Sequence, residues 1–397
     1  MPNKKALVAM SGGVDSSVSA FLMKEAGYDP IGVTMMLHEN DAGSIYGTHT
    51  CCTIDDIEDA RVVASHLGIP FSVVNFIDGF KEKIIDKFVK TYLGGATPNP
   101  CIDCNKYMKF GRLFEMAEKE GCEKVVTGHY ATVEYDLEDD RLTDSGETKG
   151  RYKLRRGVDR TKDQTYVLYF LNQEQLSKLE FPLGKYEKTE VRKIADDLGL
   201  GVATKHDSQD ICFVPDGDYA GYIEREYSDS VPEKVREDSE NAASAGGSPT
   251  DSLTGHFIGK DGKDYGPHKG YYHYTIGQRR GLGIPAGDRI YVVDIMPETN
   301  TVILGTNEDL FRRDVHAVDF NLISLPKEYT ENGDDIEMRV TAKVRYRAKD
   351  TAGILTLHKD GTADMLFDEP VRAVTPGQSL VIYDDEYCLG GGIITSR

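Results

Sequence analysis

Positive charge is scarce in this 397-residue chain: 47 Lys and Arg face 66 Asp and Glu, a formal net charge of -19. That excess excludes a protein coated in basic surface for indiscriminate nucleic-acid binding, although it leaves room for a local basic groove. Cysteine is scarce as well. Seven residues are too few for a disulfide framework, and the number is odd. Long apolar runs are missing: no stretch approaches the roughly 18 residues of a membrane span. The start, Met1 to Lys5, leads into only five apolar residues, Ala6 to Met10, short of a signal peptide. The expected location is therefore cytoplasmic, with no membrane partner and with reduced thiols whose interesting uses are catalysis or metal. A content of 39% hydrophobic and 28% charged residues excludes disorder of the whole. At about 150 residues per domain the length predicts two or three domains.

The first two hundred residues alternate. Lys5 to Met10, Ile31 to Leu37, Phe71 to Phe76 and Lys124 to Tyr130 read as strands. Ser16 to Ala26, Ile54 to Leu67, Phe80 to Leu93, Asn105 to Lys119 and Lys188 to Leu198 carry apolar residues at helical spacing. Strand and helix in alternation predict an α/β fold, a doubly wound parallel sheet covered on both faces. Asp136 to Glu147 reads as an acidic hairpin tip. Later the texture changes. Asp229 to Gly255 is polar and Gly/Ser-rich, and its middle predicts a flexible insertion near 232–255. From about Tyr291 the pattern is β-type: Ile354 to His358 and Ala363 to Phe367 flank a turn signal, and Gln378 to Tyr383 pairs with Cys388 to Thr395. A small antiparallel β-barrel answers that spacing. The expected division is 1–208, 209–284 and 285–397.

Ala9-Met10-Ser11-Gly12-Gly13-Val14-Asp15-Ser16 sits where the first strand ends and a helix begins. Glycines let backbone N–H groups turn toward a ligand, and the helix N-terminus adds partial positive charge, so pyrophosphate is the expected guest. Asp15 could help hold Mg²⁺ on that anion. No Walker-type Gly-Lys-Ser/Thr is present, which excludes a γ-phosphate kinase loop. The string resembles the PP-loop of N-type ATP pyrophosphatases, which cleave ATP between the α and β phosphates and adenylate a substrate. It leaves argininosuccinate synthase, GMP synthetase, NAD synthetase and several tRNA-modifying enzymes open.

Thr97-Pro98-Asn99-Pro100-Cys101-Ile102-Asp103-Cys104-Asn105-Lys106 reads as a proline-fixed loop opening a helix. The helix N-terminus and Lys106 would both favour thiolate at Cys104. About a hundred residues later stands Ser208-Gln209-Asp210-Ile211-Cys212-Phe213. These join Thr127-Gly128-His129-Tyr130-Ala131, Lys162-Asp163-Gln164-Thr165-Tyr166 and Tyr274 to Leu282 in one order along nearly the whole chain. Together they resemble the tRNA-specific 2-thiouridylase family.

The resemblance implies an ATP-dependent sulfurtransferase that thiolates the wobble uridine in tRNAs for lysine, glutamate and glutamine. It implies ATP and Mg²⁺, and a cysteine desulfurase or sulfur-relay protein as partner. Carried onto this sequence, Ala9 to Ser16, Met35 and Gly128 would bind ATP. Asn99, Pro100 and Cys101 would line the target base. His129, Lys162, Asp163, Gln164, Arg345, Tyr346 and Gln378 would touch tRNA. Cys104 would be the nucleophile and Cys212 the persulfide carrier. Cys101 stands where family members often have Asp.

Three alternatives stay open. Cys101, Cys104 and Cys212 could hold an iron–sulfur cluster that carries the sulfur. The chain could be a PP-loop enzyme adenylating a small molecule, or a non-catalytic tRNA-binding protein. Cys51 and Cys52, neighbours before a helix, could relay sulfur but read first as structural or incidental; Cys122 and Cys388 read as structural.

The acidic total hides basic stretches. Arg151 to Gln164 has six bases against two acids, His256 to Arg289 six against three, and Arg339 to Lys349 five against none. The expectation is a confined basic groove on an acidic body.

Overall fold

The computed structural model describes residues 4–37, 54–137, 150–205, 211–232, 255–284, 289–323 and 335–395. Cys51, Cys52, the expected hairpin tip beyond Leu137, Ser208 to Asp210 and most of the 232–255 insertion lie outside these residues.

The N-terminal part contributes strands β1 (Lys4–Ala9), β2 (Tyr28–Met36), β3 (Phe71–Asn75), β4 (Lys124–Val126), β5 (Ala131–Asp136), β6 (Arg151–Arg156) and β7 (Leu179–Glu180). β3, β2, β1, β4 and β7 pair side by side, all parallel. β1 is central, and its alternation shows why the sheet is buried on both faces. Ala6 and Val8 pack with Val18, Ala60, Val63 and Val191. Leu7, pointing the other way, packs with Phe80, Phe88, Phe110 and Leu113. The helices Val14–Glu25, Ile54–Leu67 and Lys188–Asp197 thus cover one face. The helical stretches from Ile77 to Leu93 and from Pro100 to Lys119 cover the other.

The central part holds β8 (Gly255–Gly259), β9 (Asp264–His268), β10 (Tyr291–Met296) and β11 (Thr301–Gly305), ordered β10-β11-β8-β9. β11 runs parallel to β8, from Thr301↔His256 to Leu304↔Gly259. This corrects the expected boundary at 284. Tyr291 to Gly305 reads as β-type whichever sheet it joins, and its hydrogen bonds go to the central sheet.

The C-terminal barrel uses β12 (Phe311–Leu322), β13 (Ile336–Lys343), β14 (Thr351–Leu357), β15 (Ala363–Arg372), β16 (Ser379–Asp384) and β17 (Tyr387–Ile394). They run β12-β15-β14-β13-β16-β17, and β12 pairs with β17 to close the ring. Val340, Leu355, Met365, Phe367, Leu380 and Ile382 fill its interior. The β5–β6 hairpin of the N-terminal part adds to this barrel, with Tyr387 opposite Arg155 and Cys388 opposite Leu154. The arms of the expected hairpin are therefore a structural joint between domains.

Candidate active site

The loop Met10–Gly13 leaves the C-terminal end of β1, the edge at which open parallel sheets receive ligands. Gly12 has φ 71°, and a Cβ there would run into the carbonyl oxygen of Asp56. Backbone and crowding both require glycine. The Ser11 N–H donates to Ser16 Oγ at 3.1 Å, and the Ser16 and Ser17 hydroxyls donate to the Gly13 carbonyl at 3.1 and 2.9 Å. The loop is thus shaped before any guest arrives. Gly13 caps the helix without a side-chain bond, so the first N–H groups keep their capacity for an anion. Met10, the first residue of the loop, and Met35, on β2, are both buried. Gly128 closes the other wall: a Cβ there would stand 3.0 Å from the Asp15 and Ser16 backbone.

Two lysines missed in the sequence complete the loop. Both Asp15 carboxylate oxygens lie 2.8 Å from Lys188 Nζ, and the Tyr130 hydroxyl donates to one of them at 2.9 Å. Lys205 Nζ donates to Asp56 and Asp59 at 2.6 Å each and to the Gly12 carbonyl at 3.2 Å. Lys188 opens the helix of the Lys-Thr-Glu-Val-Arg string, and Lys205 stands just upstream of the Cys212 motif. Position next to a motif was the available signal.

The Pro-rich segment starts a helical turn, Pro100–Asp103, which passes at Cys104 into a π-helical segment, Cys104–Arg112. Such wide turns recur at functional sites. Cys101 is exposed, and Cys104 and Cys212 are half-buried. Cys104 and Cys212 pack against the same apolar cluster. There Phe213 sits edge-on to Phe80 at 5.8 Å and Phe88 at 5.0 Å. Asp103 is buried and bonded by Lys87 at 2.7 Å; burial pushes its carboxyl up against the opposing pull of Lys87. Burial also raises the Cys122 thiol and pushes Cys388 up to about 12, unsuited to thiolate chemistry. Among the described residues no three His, Cys, Asp or Glu side chains converge as metal ligands. Cys101, Cys104 and Cys212 as placed do not fit an iron–sulfur cluster.

The residues assigned to tRNA by resemblance mostly meet at one seam. The Arg345 guanidinium donates to the Ile276 carbonyl at 2.7 Å and to the Thr375 hydroxyl, and burial lowers its pKa. The Tyr346 hydroxyl donates to the Asp163 carbonyl at 3.0 Å. The Gln378 Nε2 amide donates to the carbonyls of Thr97 and Pro98 at 3.0 and 3.2 Å. The Thr97 N–H bonds the Pro376 carbonyl at 2.8 Å. The barrel thus holds the cysteine loop by its backbone. Gln164 accepts from the Tyr130 N–H at 3.0 Å, and Lys162 is half-buried. His129 stands apart. It is 5% exposed, bonded to Thr127 Oγ1 at 2.7 Å and packed near Phe110 and Phe181, and burial drives its pKa well down. In this arrangement it offers RNA almost no surface.

These contacts also join the three basic stretches at Arg345–Tyr346. Several bases are already paired: Lys153 with Asp136 at 2.6 Å, Arg155 with Glu134 at 2.9 Å, Arg156 with Asp350 at 2.7 Å, and Arg160 with Glu386. Arg279, Arg280, Arg347 and Lys349 are exposed. A few phosphate contacts predict tRNA affinity falling about tenfold to a hundredfold between roughly 50 and 200 mM salt, measured by filter binding. An affinity that does not change with salt would remove the basic groove.

Comparison with known proteins agrees with the fold in three parts. Residues 4–216 match a tRNA methyl transferase HUP domain. Residues 249–306 match a tRNA methyl transferase PRC-barrel domain, and 315–394 an aminomethyltransferase beta-barrel domain. The tRNA-specific 2-thiouridylase MnmA of Clostridioides difficile is 46% identical over 99% of this chain and 98% of its own length. The tRNA-specific 2-thiouridylase MnmA 1 of a Thermoanaerobacter species is 46% identical over 100% and 99%. The tRNA-specific 2-thiouridylase MnmA of Clostridium acetobutylicum is 44% identical over 99% of both chains. With the HUP-domain model matching more than half of the chain and relatives this similar from end to end, the chain belongs to the tRNA-specific 2-thiouridylase family.

Proposed function

We propose that this protein is an ATP-dependent tRNA-uridine 2-sulfurtransferase that converts the wobble uridine of tRNAs for lysine, glutamate and glutamine to 2-thiouridine. The observation that carries the reading is the conjunction of a shaped phosphate loop at Ser11–Ser16 with two thiols, Cys104 and Cys212, on the face of the same sheet's apolar cover. An enzyme that adenylates a small molecule has no use for those thiols, and a binding protein has no use for either.

The chemistry follows from what uridine lacks. Its C2 oxygen is a poor leaving group. Attack of O2 on the α-phosphate of ATP forms an O–P bond and expels pyrophosphate, leaving AMP as the leaving group at C2. The loop N–H groups and the helix N-terminus hold the departing pyrophosphate. Mg²⁺ would enter with the phosphates, and Asp15 is the carboxylate at hand, its oxygens now shared with Lys188 and Tyr130. The terminal sulfur of a Cys212 persulfide attacks C2 and AMP departs. The Cys104 thiolate then attacks Cys212 Sγ. The S–S bond breaks toward the base, leaving C=S on the nucleoside and a Cys104–Cys212 disulfide. An external thiol reductant resets the pair. The persulfide arrives from a cysteine desulfurase or a relay protein in the cytoplasm. The base must leave the anticodon stack to reach these groups; Asn99 and the exposed Cys101 offer it surface, on a turn that buried Pro100 starts.

Purified protein, incubated with unmodified tRNA, Mg·ATP and a persulfide donor, is expected to yield 2-thiouridine and stoichiometric AMP, read by nucleoside mass spectrometry. AMP formation without tRNA-bound sulfur would favour the small-molecule adenylating reading.

A further inference from the structure

Cys101 takes no step in the sulfur transfer described above, yet it is exposed where Cys104 and Cys212 are half-buried. Along Cys101-Ile102-Asp103-Cys104 the burial runs exposed, buried, buried, half-buried. Ile102 packs into the apolar cluster, and Asp103 turns inward to Lys87 at 2.7 Å. Cys101 and Cys104 therefore share the outer side of one helical turn. The Cys104 N–H closes that turn on the Cys101 and Pro100 carbonyls. Helical geometry then sets the two Cα atoms about 5 Å apart. A disulfide spans roughly 4.4–6.8 Å between Cα atoms, so this turn accepts one with its backbone in place. The turn is held on both sides. Gln378 bonds the carbonyls of Thr97 and Pro98 before it, and the buried Asn105 amide donates to the Val167 carbonyl at 3.1 Å after it. Cys212 packs against the same apolar cluster as Cys104. Among the described residues these thiols do not converge as ligands of one ion. Thiol exchange asks less: each partner need only meet Cys104 in turn.

We propose that Cys101 is the resolving thiol that moves the disulfide left by each sulfur transfer out to the surface. The proposal rests on the persulfide reading given above, which ends in a Cys104–Cys212 disulfide. The Cys101 thiolate, its proton given to solvent, attacks Cys104 Sγ. The Cys104–Cys212 bond breaks, a Cys101–Cys104 bond forms, and Cys212 leaves as a thiolate. One disulfide replaces another, with no net oxidation. An external dithiol then attacks the exposed Cys101 Sγ, and Cys104 departs as a thiolate. The second thiol of the reductant cleaves the mixed disulfide at Cys101, and the dithiol leaves oxidised. A protein reductant thus meets an exposed sulfur rather than a bond between two half-buried ones, and Cys212 is ready for the next persulfide before reduction is complete.

The test is a single turnover without reductant. Persulfide-loaded protein is mixed with unmodified tRNA and Mg·ATP, remaining thiols are blocked with N-ethylmaleimide, and non-reduced tryptic peptides are read by mass spectrometry. Cys101 and Cys104 share the peptide Thr91 to Lys106, and Cys212 lies in His206 to Arg225. In the unaltered chain an internal disulfide in the first peptide is expected at least about tenfold more often than the two peptides joined. In Cys101→Ser the two peptides are joined, Cys104 to Cys212. Because Cys101 also lies beside the target base, turnover is read as a ratio within each protein, the steady-state rate over the single-turnover rate. With reduced thioredoxin as the reductant, Cys101→Ser is expected to lower that ratio at least about tenfold, and millimolar dithiothreitol, small enough to reach half-buried sulfur, restores it to within about twofold. If 2-thiouridine forms and the unaltered chain keeps the Cys104–Cys212 link, the proposal falls and the persulfide reading stands. The same holds if Cys101→Ser leaves the ratio unchanged. Thiolation with no disulfide in the protein, or no thiolation at all, overturns the persulfide reading and the proposal with it.

Discussion

Cys104→Ala and Cys212→Ser are each expected to lower 2-thiouridine formation by at least about a thousandfold while leaving tRNA affinity within about twofold. The magnitude follows from the loss of a covalent participant, for which no neighbouring group substitutes. The two should fail differently. Without Cys212 no persulfide forms on the chain, so transfer of labelled sulfur from the donor to protein disappears. Without Cys104 the persulfide forms and its sulfur stays bound to Cys212, as the persulfide or as its disulfide-linked adduct on C2, because the thiol that cleaves the Cys212 S–S bond is missing. Neither side chain is central to the packing: both are half-buried, and Phe213, the neighbour of Cys212, carries the aromatic contacts that hold the segment. Folding is therefore expected to survive both changes. Thiolation retained by either variant with a persulfide donor supplied would refute the assigned roles. Equal loss of protein-bound sulfur in both would refute the division between them.

Gly12→Ala carries the second large effect. The left-handed backbone alone costs an L-residue about 1–2 kcal/mol. The added carbon also collides with the Asp56 carbonyl, so the loop must move off helix Ile54–Leu67 and loses the geometry that aims its N–H groups. Adenylation and thiolation are expected to fall at least about a hundredfold, with ATP affinity falling in parallel. Gly27→Ala is the control. Gly27 has φ 83°, and a Cβ there meets nothing within 4 Å. It should lower thermal stability by a similar backbone cost and leave catalysis unchanged. Equal activity of the two variants would show that crowding at Gly12 does not shape the phosphate site.

Much of the fold was legible because it follows from local rules. The run Lys5 to Met10 appears as β1, and Ile54 to Leu67 forms the expected helix. The pairs around Lys359-Asp360-Gly361 and around Asp384-Asp385 form the expected barrel hairpins. Helical boundaries were less legible. The stretch expected from Asn105 begins at Pro100 and is π-helical from Cys104 to Arg112, a hydrogen-bond pattern that apolar spacing does not encode. Tyr291 to Gly305 was read as β-type and assigned to the wrong sheet, since strand pairing is a long-range choice.

The sequence by itself determined the phosphate loop, the paired cysteines and the alternation that builds a parallel sheet, because each is a matter of residue type at short spacing. Only the tertiary structure decided how these parts are held. The barrel grips the cysteine loop through Thr97, Pro376 and Gln378. The β5–β6 hairpin becomes an edge of that barrel. Lysines 188 and 205 neutralise acids at the phosphate loop from more than a hundred residues away. The charge balance shows the division most plainly. The sequence locates the basic stretches, but the fold pairs Lys153, Arg155, Arg156 and Arg160 with acids and leaves others exposed around Arg345–Tyr346. Ion pairing depends on distance in space, and a one-dimensional count cannot supply it.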